Sequence, residues 1–342
     1  MANWQQTHFI YEIVICSISL GLNLMVICFC NFHLGRAMKS YRWMLIGGSL
    51  VDITYTIISF FTGMLAIDYG TAMIFMSDQP FFPQTHNTAV IATILYCSIS
   101  YTMIVNVCCQ FVYRMNIFCL SNRFTLSEIF AFIGLLELWA IAHCCNIVNV
   151  CTRYDEPEMT ADLQAMPLFQ DVPLPAYIFA DSFELKMMLQ LLDSQLIVGA
   201  GYAIIIYCAY RIEMKLRRDL HMLQPSTLAA QKALSKVMLF QAFLPMPLLL
   251  LPIGLSDLLP MIGISFEYLP VFIKVTISLL PLFNPIVIMF TIPSIRRAII
   301  QFFTRGRVSH MTSTASDTGA GLSTTNKQPD GGTEGHALSV TA

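Results

Sequence analysis

Seven stretches of the chain are apolar over about two dozen positions each, separated by shorter polar segments. They cover residues 9–32, 44–67, 88–112, 127–150, 188–210, 236–259 and 269–292. A helix rises 1.5 Å per residue, so a hydrocarbon core about 30 Å thick takes roughly 20 apolar residues to cross. Every stretch is long enough, and none alternates with period two, so helices are predicted rather than strands. After the seventh stretch, "SIRRAIIQFF" alternates basic and apolar positions at helical spacing. That pattern predicts a short interfacial helix over 294–303. From 304 to 342 the chain is rich in Ser, Thr and Gly, which predicts a disordered tail. The expected architecture is an all-α membrane protein: a seven-transmembrane helix bundle over 1–303, followed by the tail.

Composition agrees. Charged residues make up only 12% of the chain and mean hydropathy is +0.64, whereas soluble domains carry about 25% charged residues. The net charge of −2 says little; the distribution says much. Sixteen of the nineteen Lys and Arg fall on one side of the predicted bundle: Arg36, Lys39 and Arg42; Arg114 and Arg123; six between Arg211 and Lys236; and five from Arg296 onward. The opposite side holds Arg153 and Lys186, with Lys274 near that end of span seven. By the positive-inside rule the N-terminus is extracellular and the tail cytoplasmic. The basic residues are scattered over short loops, which argues against nucleic acid.

The first apolar run is too long for a signal-peptide core and lacks a basic flank, so it reads as a first span. The loop from Cys151 to Lys186 is long and acidic and reads as a solvated lid. No N-x-S/T sequon occurs, so no N-glycan is expected. The eleven cysteines form no C-x-x-C pair and read as free thiols, a Cys97–Cys151 disulfide remaining conceivable.

Ionisable groups inside a bilayer cost several kcal/mol and need a partner or a purpose. Asn23, Asp52 and Asn284, the last beside the helix-breaking Pro285, sit at similar depth in spans one, two and seven. They either share one hydrogen-bonded cluster or are satisfied separately by backbone carbonyls. Arg114 closes span three in "QFVYRMN"; it either snorkels to the headgroups or faces the bundle to meet a partner. Span six carries Pro245, Pro247 and Pro252, and a kink there beside a basic loop has the layout of a lever. Asp193, Asp257 and Lys274 lie toward the outer side, where a ligand cavity would open or where they could snorkel. Glu137 is a further acid in span four, and His143 in the same span reads as a packed polar group rather than a metal ligand.

Asn23 in "GLNLMV", Asp52 in "SLVDI", Tyr113–Arg114 closing span three, proline in span six and "NP" in span seven resemble a rhodopsin-type G-protein-coupled receptor. There are departures: no acid precedes Arg114, "NPIVI" lacks the tyrosine, and span six has no C-W-x-P. "LGRAMKSYRWMLIGGSLVDITYTI", "MLFQAFLP" and "LPLFNPIVIMFTIPSIRRAI" are similar to the nematode serpentine chemoreceptors of the Str/Srd-like superfamily over roughly residues 10–303.

The resemblance implies a chemosensory (odorant or pheromone) receptor in the plasma membrane, displayed on a sensory cilium. It would bind a small molecule from outside and activate a heterotrimeric G protein inside. Tyr113 and Arg114 would carry G-protein coupling, Asn23, Asp52, Asn284 and Pro285 the inner polar cluster, and Pro245 and Pro247 the kink. Tyr101, Asp193 and Lys274 are candidates for the ligand. The missing acid puts an ion-pair restraint on Arg114 in doubt and leaves packing to hold the inactive state. The tail offers phosphorylation sites for a receptor kinase and arrestin.

No cofactor or metal is implied. A retinal lysine would stand closer to the "NP" than Lys274 does. A seven-spanning ligand-gated channel would have its N-terminus inside, and a transporter would show internal repeats. Catalysis is not expected: Ser256 in "GLSDL" has no following glycine, and spans six and seven contain no histidine.

Overall fold

The computed structural model describes residues 4–34, 36–69, 71–78, 81–120, 123–166, 169–170, 173–219, 225–244 and 269–301. Residues 1–299 form one compact unit. Helix α1 (Trp4–Phe32) is followed by a 3-10 segment (Arg36–Tyr41), α2 (Arg42–Thr62), strands β1 (Met64–Tyr69) and β2 (Ala72–Ser77), and α3 (His86–Phe118). Then come α4 (Leu126–Cys145), the short α5 (Ile147–Val150), α6 (Pro157–Ala165), β3 (Ala176–Asp181) and α7 (Leu185–Arg218). Helices α8 (Pro225–Phe243), α9 (Leu269–Ser278) and α10 (Leu280–Thr291) follow, and α11 runs over 293–301.

Among the described residues six helical segments are long and apolar enough to cross a membrane, counting α4 with α5 and α9 with α10 as single segments. Helix α8 packs beside them, against α3 and α10. The residues expected to complete its span, with Pro245, Pro247 and Asp257, lie outside the described residues, as does the predicted disordered tail.

Local chemistry places the helix ends. Thr125 and Glu128 form a reciprocal capping box that starts α4, and the Thr85 side chain caps α3. Helix α7 carries Lys215, Arg217 and Arg218 in its last turn, where cations oppose the helix dipole. Its 34 residues span about 51 Å at 1.5 Å each. Large apolar side chains such as Phe130, Leu135, Leu138, Ile206 and Phe290 stay exposed on the outside of the bundle. A water-soluble domain would not show so many; a lipid-facing surface requires them.

The second span departs from expectation. The apolar run continues to residue 67, but α2 stops at Thr62 because Gly63 adopts a left-handed conformation (φ 50°, ψ 35°). Glycine takes that conformation without the Cβ clash that other residues suffer. The chain then enters an antiparallel sheet of order β1-β2-β3, with Met64 opposite Ser77 and Ala72 opposite Asp181. The long acidic loop thus supplies an ordered strand and helix, while Asp155, Glu156, Glu158 and Asp162 face outward.

Both faces of the sheet are covered. Leu65, Ile67, Ile74, Met76, Tyr177 and Phe179 pack against Leu163 of α6 and Phe169. On the other face Ile178 and Ala180 pack with Ala89, Val150 and Met187 at the ends of the bundle helices. Burial on both faces removes the polar alternation that marks a half-exposed strand. That is why Met64–Ile67 read as the end of span two, while the other two strands read as loop. Toward the opposite end, a larger core joins α1, α2, α3, α7, α8 and α10 through residues such as Val26, Leu45, Cys108, Ile205, Leu234 and Ile288.

Candidate functional site: a covered cavity and two polar clusters

A cavity of about 230 Å³ lies between the sheet and the bundle. Met64, Ala66, Met73 and Phe75 of β1 and β2 roof it, so the sheet is its lid. Its walls come from α3, α4, α7 and α9. Tyr101 and Lys274, both expected at a ligand site, line it; Asp193 does not. The Asp193 carboxylate instead stands behind His143, 2.7 Å from His143 Nδ1, and accepts from Trp139 Nε1 at 3.1 Å.

His143 is one of the lining residues, as are Gln190 and Ser194. Tyr101 Oη is 2.6 Å from Ser194 Oγ and 3.3 Å from His143 Nε2. One pole of a largely apolar cavity is therefore hydrogen-bonding. Its histidine was legible as a packed polar group, but its place on the cavity wall was not. Cys97 and Cys151 also line the cavity, and both are free thiols. Burial pushes the Cys151 thiol up to about 12.

Lys274 does not snorkel. Its ammonium is 3.5 Å from Glu12 Oε1, with the two side chains 2% and 4% exposed. It donates to Ser59 Oγ at 3.2 Å and lies 5.2 Å from the centre of the Tyr96 ring. Glu12 also accepts from Ser278 Oγ at 3.1 Å. This buried pair ties α1 to α9, and sequence reasoning missed its acid. The available signal was a lone glutamate inside the apolar run of span one.

The second cluster lies deeper. Asn284 Nδ2 donates to both Asp52 carboxylate oxygens, at 3.0 and 3.1 Å. Asn23 Nδ2 donates to the carbonyls of Ser19 and Pro281, both at 3.0 Å. Pro285 has no N–H, so the Pro281 carbonyl one turn earlier loses its helical donor, and Asn23 replaces it. A Ser19–Thr56 hydroxyl contact of 2.8 Å and a Thr56 bond to the Asp52 carbonyl at 2.7 Å link the two arrangements. Both expected alternatives occur together: Asn284 meets Asp52 directly, and Asn23 serves backbone carbonyls.

At the end away from the sheet, Arg114 is 1% exposed. Its guanidinium donates to the Gln231 carbonyl at 3.0 Å, Gln231 Oε1 at 3.3 Å and Ser235 Oγ at 2.7 Å, all on α8. Among the described residues no carboxylate lies within ion-pair distance of it. A clasp of neutral acceptors, rather than packing alone, joins α3 to α8. Gln231 Nε2 in turn donates to Tyr41 Oη at 3.4 Å, and Tyr113 Oη donates to the Ser40 carbonyl at 3.0 Å. No group of three or more His, Cys, Asp or Glu among the described residues could hold a metal ion.

A bundle of long apolar helices with a lidded cavity at one end and a buried arginine at the other defines a multi-pass membrane protein. Comparison with known proteins makes the class specific. The family model for the serpentine type 7TM GPCR chemoreceptor Str matches residues 8–300, and the chain belongs to that family. It is 23% identical over 307 residues to serpentine receptor class r-10 of Caenorhabditis elegans, covering 84% of this chain and 88% of that protein. The fold is similar to the crystal structure of squid rhodopsin, with a TM-score of 0.61, 12% identity, and coverage of 94% of this chain and 96% of that one. The protein is therefore a multi-pass membrane protein with the seven-transmembrane receptor fold.

Proposed function

We propose that the protein is a chemosensory receptor that takes a small molecule into the lidded cavity and activates a heterotrimeric G protein at the Arg114 end. One observation carries the reading: Arg114 is withdrawn into the bundle and held to α8 by Gln231 and Ser235. An arginine so placed becomes available to a partner only when α8 moves away from α3. A ligand that binds the open bundle better than the closed one shifts that equilibrium by its difference in affinity.

In this reading Tyr101 and Lys274 face the ligand, and Asp193 acts through His143. The Asn23, Asp52, Asn284 and Pro285 cluster lies between cavity and clasp and rearranges as the spans shift, with Pro245 and Pro247 supplying the lever in span six. Tyr113 and Arg114 contact the G protein. The charge asymmetry supports an extracellular N-terminus, with the sheet end outside and the clasp in the cytosol. Plasma-membrane display, in a sensory cilium, follows from the chemosensory role. The Ser/Thr-rich tail would receive phosphates from a receptor kinase and engage arrestin.

The test uses cells expressing the full chain with an N-terminal epitope tag and a G-protein activity reporter, exposed to a panel of small volatile compounds. The reading expects tag staining on intact cells, a response to at least one compound, and loss of that response in Arg114→Ala at equal surface level. An inaccessible tag, or an undiminished response in Arg114→Ala, refutes it.

A further inference from the structure

We infer that the polar pole of the cavity is built for a ligand that donates a hydrogen bond, with His143 Nε2 as the accepting atom. The inference rests on the receptor reading above and narrows its ligand class to compact, neutral, largely apolar alcohols.

Two partners determine which ring nitrogen of His143 holds the proton. Nδ1 lies 2.7 Å from the Asp193 carboxylate. A carboxylate only accepts, so Nδ1 carries a proton. Gln190 bears on the other nitrogen. Its amide nitrogen donates to the His143 carbonyl at 2.9 Å, while its amide oxygen accepts from Asn146 Nδ2 at 2.9 Å. A carbonyl cannot donate, so this side-chain amide has one orientation. The same amide nitrogen lies 3.3 Å from His143 Nε2. An amide donor on that side favours a lone pair on Nε2, which makes Nε2 the accepting atom on the cavity wall.

That acceptor is poorly used. Its contacts with Gln190 and Tyr101 are both 3.3 Å, beyond the usual hydrogen-bond range of about 2.7–3.2 Å. Tyr101 already has a closer partner in Ser194 at 2.6 Å. A ligand hydroxyl can reach Nε2 at a better distance than either. Among the described lining residues an anionic ligand finds no free cation, since Lys274 is paired with Glu12 and bonded to Ser59. The volume of about 230 Å³ falls just below the range of about 300–1,000 Å³ usual for small-molecule pockets, so the ligand is compact. Asp193 and Gln190 are positioning residues: they act through the histidine.

Asp193→Asn tests the tautomer. Trp139 Nε1 donates to Asp193 Oδ1, so the asparagine oxygen stays with Trp139 and its NH2 faces Nδ1. Nδ1 must then accept, which moves the ring proton to Nε2 at the expense of the long 3.3 Å contact with the Gln190 amide and turns the pole into a donor. The experiment measures binding of cyclohexanol, cyclohexanone and cyclohexane to the purified full chain in lipid nanodiscs by thermal shift. The same compounds are applied to reporter cells.

Wild type is expected to bind cyclohexanol about three- to tenfold more tightly than cyclohexanone, the yield of one neutral hydrogen bond. Asp193→Asn is expected to invert that ranking at equal folded yield, a change that a merely structural role would not produce. If Asp193→Asn does not fold, His143→Leu decides: the alcohol preference must vanish while the hydrocarbon still binds. Equal or better binding of the ketone to wild type, an unchanged ranking in the folded variant, or no binding of any of the three overturns the inference. Alcohol-selective binding with no G-protein response counts against the receptor reading and leaves this inference standing; a response without alcohol preference does the reverse.

Discussion

The Glu12–Lys274 pair permits a quantitative prediction. At 3.5 Å, two unit charges attract by about 5 kcal/mol at an effective dielectric of about 20. Both side chains are more than nine-tenths buried, so each also carries a desolvation cost that its partner does most to offset, with His8 3.5 Å from Glu12 as a further neighbour. Removing one partner leaves a buried charge facing Ser59, Ser278 and an aromatic ring, and should cost about 3–5 kcal/mol. Removing both leaves no such charge, so Glu12→Gln combined with Lys274→Met should lie within about 1–2 kcal/mol of wild type. The assay is a double-mutant cycle on purified protein in nanodiscs, following thermal unfolding. Each single variant should unfold several degrees lower than wild type, and the double variant should recover most of that loss. Single variants as stable as wild type, or a double variant no better than the worse single one, would refute the argument that the charges compensate each other.

The clasp on Arg114 gives a signalling prediction. Gln231→Ala with Ser235→Ala removes two acceptors from the buried guanidinium, and ligand-free reporter activity should rise by roughly tenfold at equal surface level, given about 1.5 kcal/mol for one bond to a charged group. Asn23→Leu leaves the Pro281 carbonyl without its donor and should lower stability by about 1–3 kcal/mol, read as a drop in unfolding temperature in nanodiscs. Cys151 gives a pH dependence: its thiol is raised by burial from 9.0 to about 12. The folded state therefore holds this proton more tightly than the unfolded chain does. Its contribution to stability is complete below about pH 9 and is lost as pH rises toward 12. Cys151→Ser should flatten the alkaline fall in unfolding temperature across that window; an unchanged slope would exclude the thiol as a cause.

Much of the bundle was readable because length and hydropathy act locally. A run of two dozen apolar residues must form a helix in lipid, whatever its neighbours do. Asp52 and Asn284 were legible for a related reason: a polar group at mid-membrane depth has few outlets, and equal depth on adjacent spans makes a meeting reasonable. Their bond of 3.0 Å meets that expectation of contact. The sheet was not legible. Met64–Tyr69 and Ala72–Ser77 are covered on both faces, by the bundle beneath and by Leu163 and Phe169 above, so no alternation survives to betray a strand. Gly63 was the available mark, but a glycine inside an apolar run has no unique reading. Glu12 was visible as a lone acid, but nothing local said that Lys274, at the far end of the chain, would meet it.

The sequence alone determined the apolar helices of the bundle and the polar residues that had to be satisfied inside them, because those follow from transferring each segment out of water. The tertiary structure decided which polar groups satisfy which others: Asn23 with the carbonyl freed by Pro285, Arg114 with Gln231 and Ser235, Lys274 with Glu12, and His143 with Asp193 and Gln190. A buried donor accepts any partner of suitable chemistry within about 3 Å. Only the packing of the helices and the closing of the sheet bring one partner to that distance and leave the rest out of reach.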